Sequence, residues 1–214
     1  MNENELIIPV VSPSSMDGLP TAIYVHGLAS GSAGTTIHSL ARKLKHYRWI
    51  TTDFGEDIES NVVMLESLIN EYKPALILGT SMGGVTVLYA NAPETIKMVC
   101  NPALSIADCV RNTIGLGQQE YFCERIDGKQ TFELTEDMCL EYESYIANHT
   151  PLLGKESYAI FSAHDELLGE EASRIAQQVV SDAGYSVSID ANGVHRITSS
   201  TIKLISEIVS KVCF

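Results

Sequence analysis

The sequence predicts an α/β fold in three layers, with a mostly parallel central sheet between helices. From Thr21 onwards, short apolar runs typical of buried strands alternate with longer segments in which apolar residues recur at helical spacing. These runs are short and mostly apolar, as expected for parallel strands that helices cover on both faces. The chain has 214 residues, of which 45% are hydrophobic, and this suits one domain, residues 1–214, with a substantial core.

Six apolar runs are predicted to form the strands of this sheet, at 22–25, 49–52, 75–78, 96–100, 158–161 and 186–189. Segments with helical periodicity lie between and after them, at 37–44, 58–69, 81–91, 172–179 and 197–212. Pro74 ends the second of these helices and Gly184 closes the fourth. In the fourth helix the apolar face is predicted from Ala172, Ile175, Ala176 and Val179. Residues 6–11 are a weaker candidate for an antiparallel edge strand, because they contain Pro9.

Residues 103–153 interrupt this alternation. They contain no clear core strand, several aromatic residues, and nine acidic against three basic residues, a net charge of −6. We expect a small helical insertion over the carboxyl edge of the sheet, either a partial lid on a pocket or a pair of packing helices. Its charge disfavours strongly anionic substrates unless a local basic group compensates.

Charge and composition exclude several classes of function. A formal net charge of −13 disfavours nucleic acid as a partner, because nucleic-acid affinity comes largely from basic groups. No apolar stretch approaches the roughly 18 residues that cross a bilayer, and the acidic start lacks the pattern of a signal peptide, so a cytoplasmic protein is expected. The five cysteines are scattered without a Cys-x-x-Cys pair, which predicts reduced thiols and no zinc site.

The candidate reactive residue is Ser81, in Gly-Thr-Ser-Met-Gly-Gly directly after the predicted strand 75–78. A tight strand-to-helix turn projects its central side chain only if the residues two before and two after are small, and Gly79 and Gly83 meet this requirement. The turn also places Ser81 at a helix N-terminus, where backbone N–H groups favour a developing negative charge. The sequence therefore favours Ser81 as a nucleophile over an ordinary turn residue.

An oxyanion hole is predicted from two backbone N–H groups. One belongs to Met82, the residue after the serine. The other belongs to Leu28, with Ala29 as an alternative in register, in the turn that follows the first strand. Gly27 permits a close backbone approach there, and His26 is expected to hold the loop by hydrogen bonds rather than to take part in chemistry.

A serine hydroxyl needs a base to remove its proton, and the base needs a carboxylate to orient it. In a fold of this type the acid and then the histidine follow the serine, each after a later strand. Asp165 and His195 occupy these places, with Glu166 and Asp190 as reserve candidates for the acid. The loop residue Asp53 has no evident catalytic place and is expected to stabilise its loop.

On these motifs the sequence resembles the α/β-hydrolase superfamily, and within it the small YqiA/YcfP-type esterases. The resemblance runs from about Ala22 to Val209, and the matching segments are Tyr-Val-His-Gly-Leu-Ala-Ser near the start, the serine motif, Asn-Pro-Ala at 101–103, Gly-Lys-Gln-Thr-Phe-Glu-Leu-Thr at 128–135, Asp-Glu-Leu-Leu at 165–168 and Gly-Val-His at 193–195. It implies a three-layer α/β-hydrolase fold, with Ser81 as nucleophile, Asp165 as acid and His195 as base.

The predicted function is hydrolysis of a small-molecule carboxylic ester or thioester through an acyl-serine intermediate, with no metal or organic cofactor. One alternative is a non-enzymatic module that binds a ligand or partner on the same scaffold. Another is an acyltransferase or peptidase that uses the same three residues. The acyl group accepted is expected to depend on a pocket lined partly by 103–153.

Overall fold

A seven-stranded sheet forms the centre of the computed structural model, which describes residues 10–11 and 18–212. The strands of this part of the chain are β1 (Val10–Val11), β2 (Thr21–Val25), β3 (Arg48–Ile50), β4 (Leu76–Thr80), β5 (Ile96–Cys100), β6 (Gly117–Glu120), β7 (Thr131–Leu134), β8 (Glu156–His164) and β9 (Ser186–Val194). The sheet order is β1-β3-β2-β4-β5-β8-β9, with β1 antiparallel to β3 and all other neighbours parallel. The prediction of a mostly parallel sheet is therefore confirmed.

Helices connect the parallel strands as predicted. They are α1 (Thr35–Lys43), α2 (Ile58–Tyr72), α3 (Met82–Tyr89), α4 (Ile106–Cys109), α5 (Glu136–Asn148), α6 (Gly169–Asp182) and α7 (Ser199–Val212), and α4 continues into a π-helical turn at Val110–Ile114. Asp57 caps the start of helix α2, and its side chain accepts the backbone N–H of Ser60. Lys73, in the left-handed region, caps the end of the helix directly before Pro74. Among the described residues, no helix is long and apolar enough to cross a membrane.

The core consists of two apolar layers, one on each face of the sheet. Alternate residues of β2 point to opposite faces, so that Ala22 and Tyr24 pack on one side while Ile23 and Val25 pack on the other. Helices α1 and α7 cover the first face, and helices α2, α3, α5 and α6 cover the second. The molecule thus has the predicted three layers.

The edges of the sheet differ in detail from the prediction. Val10 and Val11 pair antiparallel with β3, which confirms the candidate edge strand for these two residues, while residues 6–9 lie outside the described part of the chain. At the other edge, β8 and β9 each extend over nine residues, well beyond the apolar runs that predicted them. Their last residues are polar or small, because they lie at the carboxyl edge rather than in the core.

The insertion contains more than helices. Strands β6 and β7 form a separate antiparallel hairpin between the π-helical turn and α5. Sequence analysis missed it, although Thr131 to Leu134 alternate exposed and buried, with Phe132 and Leu134 inside. Gly117, at the start of the hairpin, has φ of 100°, a value that favours glycine.

The predicted apolar face of α6 is confirmed for Ala176 and wrong for Ile175 and Val179. The residues it buries are Ser173, Ala176 and Val180, whereas Ile175 and Val179 are 49% and 37% exposed. The helix packs beside the edge strand β9, so its buried stripe is narrow and accepts a serine. The exposed pair lies outside that stripe.

Candidate active site

Ser81 lies in the tight turn between β4 and α3, with φ of 54°. Residues other than glycine rarely adopt such a φ, and they keep it only where the surrounding structure fixes it. A Cβ atom built on Gly79 would lie 2.3 Å from the carbonyl oxygen of Gly83, and one built on Gly83 would lie 2.3 Å from that of Val25. The turn therefore requires glycine on both sides of Ser81.

Hydrogen bonds from the neighbouring strand fix this turn. The backbone N–H of Ser81 donates to the carbonyl oxygen of Cys100 at the end of β5, at 3.0 Å. The carbonyl oxygen of Ser81 accepts from the N–H groups of Ala103 and Val85, each at 3.2 Å. These contacts hold the serine in its unusual conformation at the N-terminus of α3.

The three candidate residues of the triad lie in one hydrogen-bonded chain. The Nε2 atom of His195 is 2.9 Å from the Oγ atom of Ser81. Its Nδ1 atom is 2.9 Å from both carboxylate oxygens of Asp165. The side chains of His195 and Asp165 are only 8% and 2% exposed, so the ion pair that forms when the imidazole is protonated would be shielded from water.

The carboxylate of Asp165 also accepts two backbone hydrogen bonds. The N–H groups of Leu167 and Leu168 donate to its Oδ1 atom at 3.1 and 2.8 Å. These bonds close the loop between β8 and α6 around the acid and fix its orientation toward His195. The structure thus gives Asp165 both a fixed position and the contact expected of an orienting acid.

The two reserve acids have other contacts. Glu166 accepts the backbone N–H of His195 at 2.9 Å, so it contacts the histidine through the main chain and not through the ring. Asp190 accepts the hydroxyl groups of Ser200 and Thr201 at 2.9 and 2.8 Å, which ties β9 to α7. The geometry therefore favours Asp165 over both alternatives.

Asn101 contributes to the site in a way that sequence analysis missed. Its Nδ2 atom donates to the carbonyl oxygens of His195 and Val194 at 2.9 and 3.2 Å, and to the hydroxyl of Ser162 at 2.9 Å. Its Oδ1 atom accepts the N–H of Ser162 at 2.8 Å. One amide therefore joins the carboxyl ends of β5, β8 and β9. The available signal was a polar residue directly after a core strand.

His26 is a structural residue, as predicted. Its Nε2 atom accepts the backbone N–H of Phe54 at 3.0 Å, which leaves the proton on Nδ1, and Nδ1 donates to the carbonyl oxygen of Gly27 at 2.9 Å. Burial lowers the pKa of His26 to about 4, so the ring is neutral at pH 7.

The loop after β2 lies against the serine. A Cβ atom built on Gly27 would be 3.0 Å from the Cβ atom of Ser81, so the absence of a side chain permits the close approach. Leu28 follows directly. Within the described part of the chain, neither the N–H of Leu28 nor that of Met82 donates a hydrogen bond.

Asp53 connects this loop to the insertion, in keeping with its predicted role as a loop-stabilising carboxylate. It accepts the N–H of Ser32 at 2.7 Å on one oxygen, and those of Ile126 and Asp127 on the other. Partial burial raises the pKa of Asp53, but the hydrogen bonds to Ser32 and the nearby Arg125 outweigh this effect and hold its pKa below the ordinary value.

Arg125 makes the second connection between the insertion and the loop. Its side chain is 2% exposed, pairs with Asp127 at 2.8 Å, and donates to the carbonyl oxygens of Ser30 and Phe54, each at 3.0 Å. The tip of the β6–β7 hairpin, residues 121–130, is therefore anchored to the loop that follows β2. We refer to these contacts of Asp53 and Arg125 as the hairpin anchor.

A cavity of about 560 Å³ lies beside the loop that carries Asp165, and Asp165 is part of its lining. Its lining includes His164, Glu166, Glu170, Arg174 and Ile189, but neither Ser81 nor His195. In the described ranges, no group of three or more His, Cys, Asp or Glu side chains is arranged to hold a metal ion.

Comparison with solved structures places this chain among proteins of the same fold. It is similar to the monoacylglycerol lipase of Paleococcus ferrophilus, with a TM-score of 0.64 and 14% identity over 97% of this chain and 98% of that one. The mouse α/β hydrolase domain-containing protein 10 gives 0.64 and 13% over 99% and 98%. Est1E from Butyrivibrio proteoclasticus gives 0.61 and 14% over 91% and 87%. At these identities the likeness establishes the fold.

A family model gives the more specific match. Residues 21–198, most of the chain, match the model of an uncharacterised protein family, UPF0227. Comparison with curated proteins gave no match. The family match and the fold together confirm the resemblance, noted from the motifs, to small YqiA-type members of the α/β-hydrolase superfamily. This protein belongs to the uncharacterised protein family UPF0227 and has the α/β-hydrolase fold.

Proposed function

We propose that the protein is a serine hydrolase that cleaves a carboxylic ester or thioester through an acyl-serine intermediate. The observation that carries this proposal is the hydrogen-bonded chain from Asp165 through His195 to Ser81. A serine hydroxyl without a partner is a weak nucleophile at neutral pH, and this arrangement supplies the base and the group that orients it. The names of the structural neighbours, a lipase among them, agree with this class of reaction.

In the first half of the reaction, the Oγ atom of Ser81 attacks the carbonyl carbon while Nε2 of His195 takes the hydroxyl proton. Asp165 keeps the other ring nitrogen protonated and stabilises the imidazolium that forms. The tetrahedral intermediate then collapses, His195 returns the proton to the leaving alcohol or thiol, and an acyl-serine remains. Each proton transfer in this half of the reaction is made by a side chain of the protein.

The negative charge on the intermediate would be stabilised by the backbone N–H groups of Leu28 and Met82, with Ala29 as the alternative to Leu28. Removal of one such donor in a serine hydrolase costs about 3 to 4 kcal/mol of transition-state stabilisation. Support comes from the position of Gly27 against Ser81 and of Met82 at the first turn of α3. In the second half of the reaction, His195 takes a proton from water, which attacks the acyl-serine; His195 then returns that proton to the Oγ atom of Ser81 as the acid is released.

Replacement of the serine tests the proposal directly. We expect Ser81→Ala to lower kcat/KM for a short-chain nitrophenyl ester by about 1000-fold or more, because nucleophile and base act as one unit. Ser67→Ala, at an exposed position of α2, is the matched control and should retain full turnover. Circular dichroism of both variants establishes that they are folded.

Labelling separates a hydrolase from a binding module on the same scaffold. A fluorophosphonate reacts readily only with an activated serine, so the unmodified protein should be labelled at Ser81 and the Ser81→Ala variant should not. Unchanged ester turnover in Ser81→Ala, or no labelling of the unmodified protein, would refute the proposal. A matched series of esters and thioesters then identifies the leaving group, and added alcohol or amine acceptors reveal acyl transfer.

A further inference from the structure

Two exposed side chains from distant parts of the chain, Arg196 and Phe122, meet next to the loop that carries His195. The guanidinium carbon of Arg196 lies over the ring of Phe122, 5.0 Å from its centroid. Arg196 directly follows His195 in the chain. Phe122 is 69% exposed, and its backbone N–H donates to the carbonyl oxygen of Ala29 at 2.8 Å. The pair therefore links the histidine loop to the insertion, at the rim of the site.

The other two arginines near the insertion are already paired with carboxylates. Arg111 contacts both Glu136 and Glu143, and Arg125 pairs with Asp127. Arg196 differs from them, because within the described residues its guanidinium has no carboxylate within 4.0 Å and donates no hydrogen bond. Its five N–H donors remain free while the ring of Phe122 restricts its position.

The two carboxylates that contact His195, the residue before this arginine, are engaged with that histidine. Asp165 accepts from the imidazole of His195, and Glu166 accepts the backbone N–H of the same residue. Both weaken the positive potential at the rim, but neither pairs with the guanidinium. In a chain with a net charge of −13, a free arginine next to the reactive histidine is the local basic group that an anionic substrate requires.

We propose that Arg196, held by Phe122, binds an anionic oxyacid group of the substrate, a carboxylate or a phosphate, next to the scissile bond. This inference rests on the proposed hydrolase function and specifies its substrate class. The planar guanidinium matches the geometry of both anions through paired N–H donors. The preferred substrates are therefore acyl esters or thioesters that carry such a group, and the neutral analogues are poorer substrates.

Paired substrates measure this preference. One arm compares the nitrophenyl monoester of a short dicarboxylic acid with the nitrophenyl ester of the same acid capped as its methyl ester. The other arm compares an ester whose alcohol carries a phosphate with its dephosphorylated form. We expect kcat/KM to favour the anionic member by about tenfold in at least one arm, with the difference mainly in KM. The arm that shows it identifies the anion, and added salt should reduce the ratio.

Variants test whether Arg196 causes the preference. In Arg196→Gln the anionic-to-neutral ratio should fall to about one, whereas Arg196→Lys should keep part of it because the charge remains. Phe122→Leu should lower the ratio by raising KM for the anionic ester. Arg42→Gln, at an exposed position on α1, is the matched control and should leave the ratio and both activities unchanged. The ratio is taken within each variant, so a general loss of activity cancels.

Failure of this inference is distinguishable from failure of the proposed function. If the unmodified protein turns over the neutral esters but favours neither anionic ester, the hydrolase remains and the role of Arg196 is wrong. The same conclusion follows if Arg196→Gln keeps the full ratio. If the protein neither turns over any ester nor reacts with a fluorophosphonate, the hydrolase proposal fails and the substrate class fails with it.

Discussion

At the scale of single residues, the side chain of Asn101 connects three strand ends of the candidate site by hydrogen bonds. It contacts the carbonyl oxygen of His195 and both the backbone and the hydroxyl of Ser162, in segments 94 and 61 residues away along the chain. The backbone of Asn101 has φ of 45°, which asparagine tolerates better than most residues. We therefore propose that Asn101 is a positioning residue, because it contacts the backbone of His195, the base of the proposed mechanism.

Removal of this amide should misplace the histidine. Asn101→Gly leaves the left-handed backbone unstrained and deletes all four hydrogen bonds, so kcat should fall by about 10- to 100-fold with a smaller change in KM. The rate at which a fluorophosphonate labels Ser81 measures the same effect without an ester substrate, and it should fall as well. Asn148→Ala, on the exposed side of α5, is the control. A variant that loses stability but keeps its labelling rate would contradict the positioning role.

Residue patterns in the sequence predicted some of this site and not the rest. The sequence made Ser81, Asp165 and His195 candidates because each follows a strand in the order that the serine chemistry requires, and glycines mark two of the three turns. The structure brings these three side chains into contact. The contacts of Asn101 follow from the spacing of strands in the sheet, which no local pattern encodes. The pairing of Arg196 with Phe122 was missed for the same reason, since the two lie in different loops.

At the scale of elements, the hairpin anchor decides how the insertion relates to the site. Asp53 and Arg125 attach the tip of the β6–β7 hairpin to the loop that carries Leu28, and Phe122 adds a backbone hydrogen bond to Ala29. The proposed oxyanion donor and the rim of the site therefore belong to one hydrogen-bonded unit. This unit is held together mainly by bonds to main-chain groups.

Weakening of the hairpin anchor should affect both the hairpin tip and the loop that carries Leu28. Asp53→Asn replaces an acceptor oxygen by an amino group opposite backbone N–H donors, so we expect a loss of about 1 to 3 kcal/mol in the free energy of unfolding. Amide hydrogen exchange in residues 121–130 should accelerate, and kcat should fall. Asp182→Asn, on the exposed face of α6, is the control. Unchanged exchange in 121–130 would show that Asp53 does not hold the hairpin.

Helices and strands were predicted correctly where the apolar pattern was strong and where both faces of a strand are buried. The central strands β4 and β5 were located to within a residue or two because both faces are covered and their sequences are mostly apolar. The β6–β7 hairpin was not recognised in the sequence because each of its strands has only four residues and one buried face. The buried face of α6 was predicted only in part, because a helix at the edge of a sheet buries a narrow stripe of residues, and Ser173 can belong to that stripe.

At the scale of the whole molecule, burial of a neutral histidine links folding to pH. His26 is 4% exposed, and burial lowers its pKa from the ordinary 6.5 to about 4. The unfolded chain therefore binds this proton more readily than the folded protein does. The stabilisation is fully present above pH 6.5 and is lost as the pH falls toward 4, by on the order of 3 kcal/mol.

Replacement of His26 should flatten this dependence. In His26→Gln the loss of unfolding free energy between pH 7 and pH 4.5 is expected to be smaller than in the unmodified protein, by on the order of 2 kcal/mol. Denaturant titrations at the two pH values provide the measurement, and the exposed His38→Gln variant is the control. Equal losses in His26→Gln and the unmodified protein would show that another group governs the acid sensitivity.

The order of strands across the sheet has a consequence for changes in chain length. Ser81, Asn101, Asp165 and His195 follow β4, β5, β8 and β9, which are consecutive neighbours about 4.8 Å apart. A longer or shorter connection between two of these strands leaves that spacing unaltered, even where the connection is as long as residues 103–153. One residue added inside β8 or β9 would instead turn every later side chain of that strand to the opposite face. The site is thus tolerant of length changes between strands and intolerant of them within strands.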